Sequence, residues 1–112
     1  MSIVGKPLNN YQSCIDVCLR CFQACHECAV LCLQEPDVAQ RTTHISMMME
    51  CASVCKEAAC LMTMNGKHAK EFCKLCASIC EECATGCTQF KDEHCQQCAD
   101  ECKKCAAECK AM

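Results

Sequence analysis

Residues 14–32 read CIDVCLRCFQACHECAVLC, with a cysteine at every third or fourth position. Two further stretches, residues 73–87 and 95–109, carry cysteines at the same alternating spacing. Spacings of three and four residues place side chains on one stripe of an α-helix. The pattern therefore predicts helices whose buried stripe consists of thiols, where an ordinary bundle has Leu, Ile and Val.

All but one of the 19 cysteines follow such stripes, including a shorter pair, Cys51 and Cys55. The heptad that contains this pair also includes His44 and Met48, whereas Cys60 falls outside it. Thiol, thioether and imidazole groups are ligands for soft metal ions. The predicted metal ligands are Cys14, Cys18, Cys21, Cys25, Cys28, Cys32, Cys51, Cys55, Cys73, Cys76, Cys80, Cys83, Cys87, Cys95, Cys98, Cys102, Cys105, Cys109, His44, His94 and Met48.

Breaks in the pattern divide the chain into four segments within one domain, residues 1–112. The breaks are Glu35-Pro36-Asp37, Asn65-Gly66 and residues 88–93. Because the connections are short, neighbouring helices should be antiparallel. We predict an all-α fold, an antiparallel up-down-up-down four-helix bundle with a cysteine-lined core and helices at about 8–34, 38–64, 68–88 and 93–111.

Composition excludes several other classes of protein. The net charge is −3, aromatic residues are 4% of the chain, and no basic block is present, so nucleic-acid binding has no support. No apolar run approaches the roughly 20 residues that span a membrane. Residues 1–13 do not resemble a signal peptide, so we expect a cytoplasmic protein whose thiols stay reduced. The odd number of cysteines also prevents complete pairing within one chain.

Charge balance indicates which metal would fill a thiol core. Each bound thiolate is negative, and burying net charge in a dry core is very costly. A Zn²⁺ ion held by four thiolates leaves an excess of negative charge, whereas Cu(I) with bridging thiolates balances them at roughly one to one. Packing alone does not explain the stripe, because cysteine fills less volume than Leu or Ile and burial energy would be lost. We therefore predict multiple Cu(I) ions per chain.

Two other functions stay open at this point. A metallothionein-like buffer for Zn²⁺ or Cd²⁺ would use the same thiols for a different metal. A thiol–disulfide redox protein is suggested by the repeated CxxC pairs, although that chemistry needs one activated pair rather than a filled core. The interpretation we favour is a Cu(I) storage protein and not an enzyme.

The two ends of the predicted bundle differ in chemistry. His44 and His94 fall at the end where the first and third helices finish, so incoming copper should meet them first. The opposite end gathers Tyr11, Met62 and Met112, which we expect to form an apolar plug. The first helix also has a second apolar stripe, which predicts a homo-oligomer with this helix at the contact. That stripe contains Ile15, Leu19, Phe22, Ala29 and Leu33.

The cysteine motifs resemble those of the bacterial copper storage proteins, and most closely their cytosolic branch. The likeness rests on the tandem CxxxCxxC helices, on ECxxxC at residues 50–55 and on HCxxCxxxCxxCxxxC at residues 94–109. It implies a four-helix bundle that stores many Cu(I) ions, assembles as a tetramer and admits copper at a histidine-bearing end. It also implies that the stripe cysteines are the thiol ligands and that His44 and His94 are the entrance histidines. A copper chaperone is a candidate partner, although no residue defines a surface for it.

Overall fold

Four α-helices make up most of residues 2–112, the part of the chain that this computed structural model describes. They are α1 (Gln12–Leu33), α2 (Thr42–Thr63), α3 (Ala69–Cys87) and α4 (Glu93–Lys110), and a short 3₁₀ helix, Val38–Gln40, precedes α2. Residues 2–112 contain no β-strand. The all-α prediction is therefore confirmed.

The helices form an antiparallel bundle around a single axis. Helix α1 packs against α2 and α4, and α3 packs against the same two helices. Each short connection reverses the chain direction, which gives the predicted up-down-up-down order. At a rise of about 1.5 Å per residue, the helices are about 27–33 Å long. The core therefore runs lengthwise between the four helices.

The first two helices begin later than the spacing predicted. Helix α1 starts at Gln12 and not near residue 8, because the preceding segment is bonded to the end of α2. The side-chain amide of Asn9 donates hydrogen bonds to the Met62 carbonyl and to Oδ1 of Asn65, both at 3.0 Å. Helix α2 starts at Thr42 and not at residue 38, because the chain turns at Arg41, whose side chain points inward.

Helix α2 ends where Asn65-Gly66 predicted a stop. Asn65 adopts a left-handed conformation with φ of 54°. The Gly66 amide then donates to the Leu61 carbonyl at 2.7 Å, and the Asn65 amide donates to the Met62 carbonyl at 3.1 Å. This pair of bonds is a Schellman motif, which satisfies carbonyls that a helix end leaves free. The motif turns the chain back into α3 within a few residues.

Cysteine and alanine side chains form almost the whole core. The 18 stripe cysteines are buried, and Cys60 is exposed, as the heptad predicted. Small side chains at helix contacts allow the backbones to approach closely, so that short thiols can meet across the axis. The alanines that fill the spaces beside the thiols are Ala29, Ala52, Ala58, Ala59, Ala69, Ala77, Ala84, Ala99 and Ala106.

Candidate metal centre

The buried sulfur atoms form a column along the bundle axis. Neighbouring Sγ atoms lie 3.5–4.0 Å apart, with Cys55 to Cys80 at 3.5 Å and Cys21 to Cys25 at 4.0 Å. At about 1.5 Å of rise per residue, the stripe from Cys14 to Cys32 extends over about 27 Å. All 19 cysteines are free thiols in this structure. The column is thus a row of unpaired soft donor atoms.

Most of the thiol contacts join different helices. Cys102 of α4 lies 3.7 Å from Cys21 and 3.8 Å from Cys25, both in α1. Pairs within one helix, such as Cys76 and Cys80 at 3.8 Å, are the minority. Cysteine spacing reports neighbours on one helix and not partners across the core, so the contacts between helices were not predictable from the sequence. A metal ion bound here would connect several helices.

The sulfur atoms group into sets in which every donor lies within 4.8 Å of the others. A metal–sulfur bond of about 2.3 Å would place the three ligands of a trigonal site about 4 Å apart, so these sets can converge on metal ions with small movements. Several thiols, including Cys21, Cys105 and Cys109, belong to two sets. The sets include Cys14–Cys73–Cys109, Cys18–Cys76–Cys105–Cys109, Cys21–Cys55–Cys80–Cys105, Cys21–Cys25–Cys51–Cys102 and Cys28–Cys32–His94–Cys95.

Burial raises the pKa of one thiol near each end of the column. It raises the pKa of Cys73 from its ordinary value of 9.0 to about 11, and that of Cys95 to about 12. By contrast, hydrogen bonds with Cys105, Cys14 and Cys18 lower the pKa of Cys109 to about 6. Thiols such as Cys73 and Cys95 are therefore protonated at pH 7, and metal binding must displace their protons.

His94 faces the last thiol set and is oriented from behind by a carboxylate. Its Nδ1 lies 3.2 Å from Sγ of Cys28 and 3.6 Å from Sγ of Cys95. On the other side, Nε2 lies 3.1 Å from Oε2 of Glu35. Because a carboxylate can only accept, the proton belongs on Nε2, which leaves the Nδ1 lone pair directed at the sulfurs. A histidine that binds a metal ion usually donates its other ring N–H to a carboxylate in this way, which fixes the orientation of the ring.

His44 lies at the same end but is enclosed by other side chains. It is 8% exposed, and neither ring nitrogen has a hydrogen-bond partner. The ring stacks on Phe90 at 5.4 Å between centroids, and a Cβ at Gly86 would lie 2.7 Å from its Nδ1. Burial lowers the pKa of His44, so the ring is neutral at pH 7 with an unused lone pair. The structure therefore brings both predicted histidines to one end, with His94 facing the thiols.

Arg41, which was not among the predicted site residues, closes the histidine-bearing end. Its guanidinium is buried and contacts the sulfurs of Cys32 and Cys95. Arginine is almost never buried without partners, and here Asp37 and Asp92 provide them. The only signal in the sequence was an Asp four residues before Arg41, a spacing that is common in solvent-exposed pairs.

The methionines of α2 and the residues of the predicted apolar plug lie in the core or partly buried against it. Met48 and Met62 are fully buried on the core stripe of α2. Tyr11 and Met112 are half-buried at the end opposite the histidines, although polar residues also line a depression there, so this end is less apolar than predicted. Within residues 2–112, no helix has both the length and the apolar character needed to cross a bilayer.

Comparison with known protein families gives one assignment over nearly the whole chain. The family described as Csp, copper storage protein, matches residues 8–112. No curated protein sequence matches this chain.

Solved structures of copper storage proteins have the same fold. The Cu(I)-bound copper storage protein BsCsp3 is 38% identical, with a TM-score of 0.88 over 91% of this chain and 96% of that one. Apo-Csp3 from Bacillus subtilis is 36% identical, with a TM-score of 0.84 over 91% and 97%. A cytosolic copper storage protein from Streptomyces lividans, described with five coppers, is 36% identical, with a TM-score of 0.83 over 88% of each chain.

Proposed function

This chain belongs to the copper storage protein family, and we propose that it holds many Cu(I) ions on the 18 buried thiols of its helical core. The observation that carries this proposal is the column of buried sulfur atoms, in which contacting Sγ atoms lie 3.5–4.0 Å apart and sets of three or four donors lie within 4.8 Å of one another. A chain that bound one structural metal ion would need about four such ligands and not a filled core.

The sharing of thiols between neighbouring sets favours Cu(I) over Zn²⁺. Separate tetrahedral zinc sites need four ligands each, whereas Cys21, Cys105 and Cys109 each belong to two sets. A thiolate that bridges two Cu(I) ions gives its negative charge to both, which keeps a dry core close to neutral. The geometry therefore supports a polynuclear Cu(I)–thiolate assembly.

The ligand set is tested by comparing a core cysteine with the exposed one. Cys102→Ser removes a sulfur that lies between two α1 thiols, so we expect Cu(I) capacity to fall by about one or two ions. Cys60→Ser is the matched control and should retain full capacity, because Cys60 lies outside the core. Capacity is measured by anaerobic titration against a chromogenic Cu(I) chelator. Equal losses in the two variants would refute the assigned ligand set.

We assign the histidine-bearing end as the entrance for copper, with His94 as the first ligand and His44 and Met48 as further soft donors. This rests on the Nδ1 lone pair of His94 facing Cys28 and on the unpaired nitrogens of His44. We expect His94→Ala to slow Cu(I) uptake in stopped-flow transfer from a chelator, with little change in final capacity. The control is His68→Ala, at an exposed histidine paired with Glu71. Identical uptake rates in all three proteins would refute the assignment.

We propose that the chain forms a homo-oligomer, a tetramer by its resemblance to the family, through α1. Of the stripe predicted for this contact, Leu19 and Leu33 are exposed, whereas Ala29 is buried and Ile15 and Phe22 pack partly buried against the core. Helix α1 also exposes Val30 and Leu31, and α4 has no exposed large apolar side chain. We expect Leu19→Lys with Leu33→Lys to dissociate the assembly in sedimentation velocity experiments. Leu75→Lys, at an α3 residue that is 50% exposed, is the control and should not. An unchanged sedimentation coefficient in both variants would place the contact elsewhere.

We further propose a cytoplasmic location and a role without catalysis. The relative from Streptomyces lividans is described as cytosolic, and the free thiols of this chain suit a reducing compartment. Delivery of copper by a chaperone remains part of the proposal. It would be tested by transfer of Cu(I) from a loaded chaperone, which should proceed faster than transfer from a small chelator at equal free copper.

A further inference from the structure

Arg41 is a buried cation at the end of the sulfur column. The residue is 5% exposed. Its Nη1 donates to Sγ of Cys32 at 3.5 Å and to Sγ of Cys95 at 3.7 Å. The guanidinium therefore covers two thiols at the end of the column where copper is proposed to enter.

The same side chain is held from its solvent side. Its Nε donates to Oδ1 of Asp37 at 2.7 Å, and Nη1 also bonds to Asp92. Both carboxylates are more exposed than the guanidinium they bind. The Phe90 ring lies 4.4 Å from Cζ of Arg41 and shields it further. The cation is thus attached to acidic groups that lie closer to solvent than the thiols.

The sulfurs that Arg41 contacts belong to the set Cys28–Cys32–His94–Cys95. A metal ion in this set would be bound by the sulfur lone pairs to which the guanidinium now donates. Arg41 and a metal ion therefore compete for the same place.

We propose that Arg41 is a displaceable gate at this end of the column, an inference that rests on the storage function proposed above. When Cu(I) reaches Cys32 and Cys95, the contacts of Nη1 with the two sulfurs break. The guanidinium then moves outward together with Asp92, while Nε stays bonded to Asp37. It returns when copper leaves. A fixed counter-ion would instead remain against the thiolates and strengthen metal binding.

The two roles predict opposite effects of removing the cation. For a gate, Arg41→Met should accelerate Cu(I) uptake from a chelator complex by on the order of tenfold, the scale of effect seen when a residue that contacts metal ligands is replaced. Final capacity should not change. For a fixed counter-ion, the same change would slow uptake and weaken binding. Arg20→Met is the matched control, since Arg20 is the other arginine and pairs with Glu101 far from the cluster.

A second variant separates gating from the charge of the carboxylates that Arg41 leaves behind. Arg41→Met with Asp92→Asn removes the cation and one of its partners together. The gate predicts that uptake stays fast in this double variant. If uptake returns to the original rate, the acceleration came from the freed carboxylate, and the proposal is overturned.

Movement of Arg41 can be followed directly by arginine-selective dicarbonyl labelling with peptide mass spectrometry. Arg41 should be protected in the metal-free protein and become labelled after loading with Cu(I), whereas Arg20 should be labelled in both. Equal protection of Arg41 in the two forms would overturn the gate. A low copper capacity in every variant would instead refute the storage function, so the two failures are distinguishable.

Discussion

The contact between Gly86 and His44 gives a prediction whose sign depends on a single neighbour. Gly86 lies in α3 with helical geometry, so alanine would ordinarily stabilise the helix by about 0.5–1 kcal/mol. An added Cβ, however, would lie 2.7 Å from Nδ1 and 3.0 Å from Cε1 of His44. That distance is shorter than any relaxed contact, so the imidazole must move.

The cost of that movement should exceed the gain in helix propensity. Overpacking a filled core costs about 1–3 kcal/mol, and His44 is stacked on Phe90. We expect Gly86→Ala alone to lower the free energy of unfolding by about 0.5–2 kcal/mol. In a His44→Ala background the obstacle is gone, and the same change should stabilise by about 0.5–1 kcal/mol. The resulting coupling energy between the two sites is about 1–3 kcal/mol.

The assay is urea denaturation of the fully reduced, metal-free protein, followed by helical circular dichroism under anaerobic conditions. All four proteins of the cycle are compared at one protein concentration, because subunit association changes the measured stability. If Gly86→Ala stabilises the original chain as much as it stabilises the His44→Ala variant, His44 does not occupy the place described here.

Three further predictions concern protons and the copper entrance. The metal-free protein should lose stability between pH 9 and pH 12, measured by denaturation, because burial keeps Cys73 and Cys95 protonated while the same thiols ionise in the unfolded chain. Each unit by which folding raises a thiol pKa contributes about 1.4 kcal/mol to the free energy of unfolding. This contribution is fully present below pH 9 and is lost as the pH rises to 12, so constant stability over that range would contradict these shifts. Loading Cu(I) at pH 7 should release about one proton for each protonated thiol that becomes a ligand. A titration in weak buffer with a pH indicator measures the protons released, and a clearly smaller number would contradict this prediction. Glu35→Gln should speed release of Cu(I) to a chelator by up to about tenfold by loosening His94, whereas Glu27→Gln, at an exposed residue of α1, should not.

The cysteine spacing predicted the helices, their core faces and the exposure of Cys60. It could do so because a three-and-four repeat of one residue type marks a single stripe on each helix. It could not predict which thiols meet across the axis, since that depends on how each helix is rotated and shifted along its neighbours. Contacts such as Cys55 with Cys80 therefore became known only from the structure.

The histidine-bearing end shows where spacing alone was insufficient. The burial of Arg41 depends on Asp92, which lies 51 residues away in sequence. An arginine between two helices is usually exposed, so no local pattern marked this one. His44 was correctly placed at this end, but its enclosure by Phe90 and Gly86 arises from packing between α2 and the end of α3.

The late start of α1 has a similar origin. Asn9 bonds to the end of α2 and ties down the segment that precedes the helix. Nothing in residues 8–11 prohibits helix formation by propensity, so the boundary is set by a tertiary contact that the sequence pattern does not show.

The central claim is that the whole thiol column is a storage site for Cu(I). The most direct measurement is an anaerobic Cu(I) titration of the fully reduced protein against a competing chromogenic chelator, with circular dichroism at each step. We expect tight uptake of roughly one Cu(I) per core cysteine, with the helices retained throughout. Saturation at one or two ions, with the remaining thiols still free to react, would contradict it.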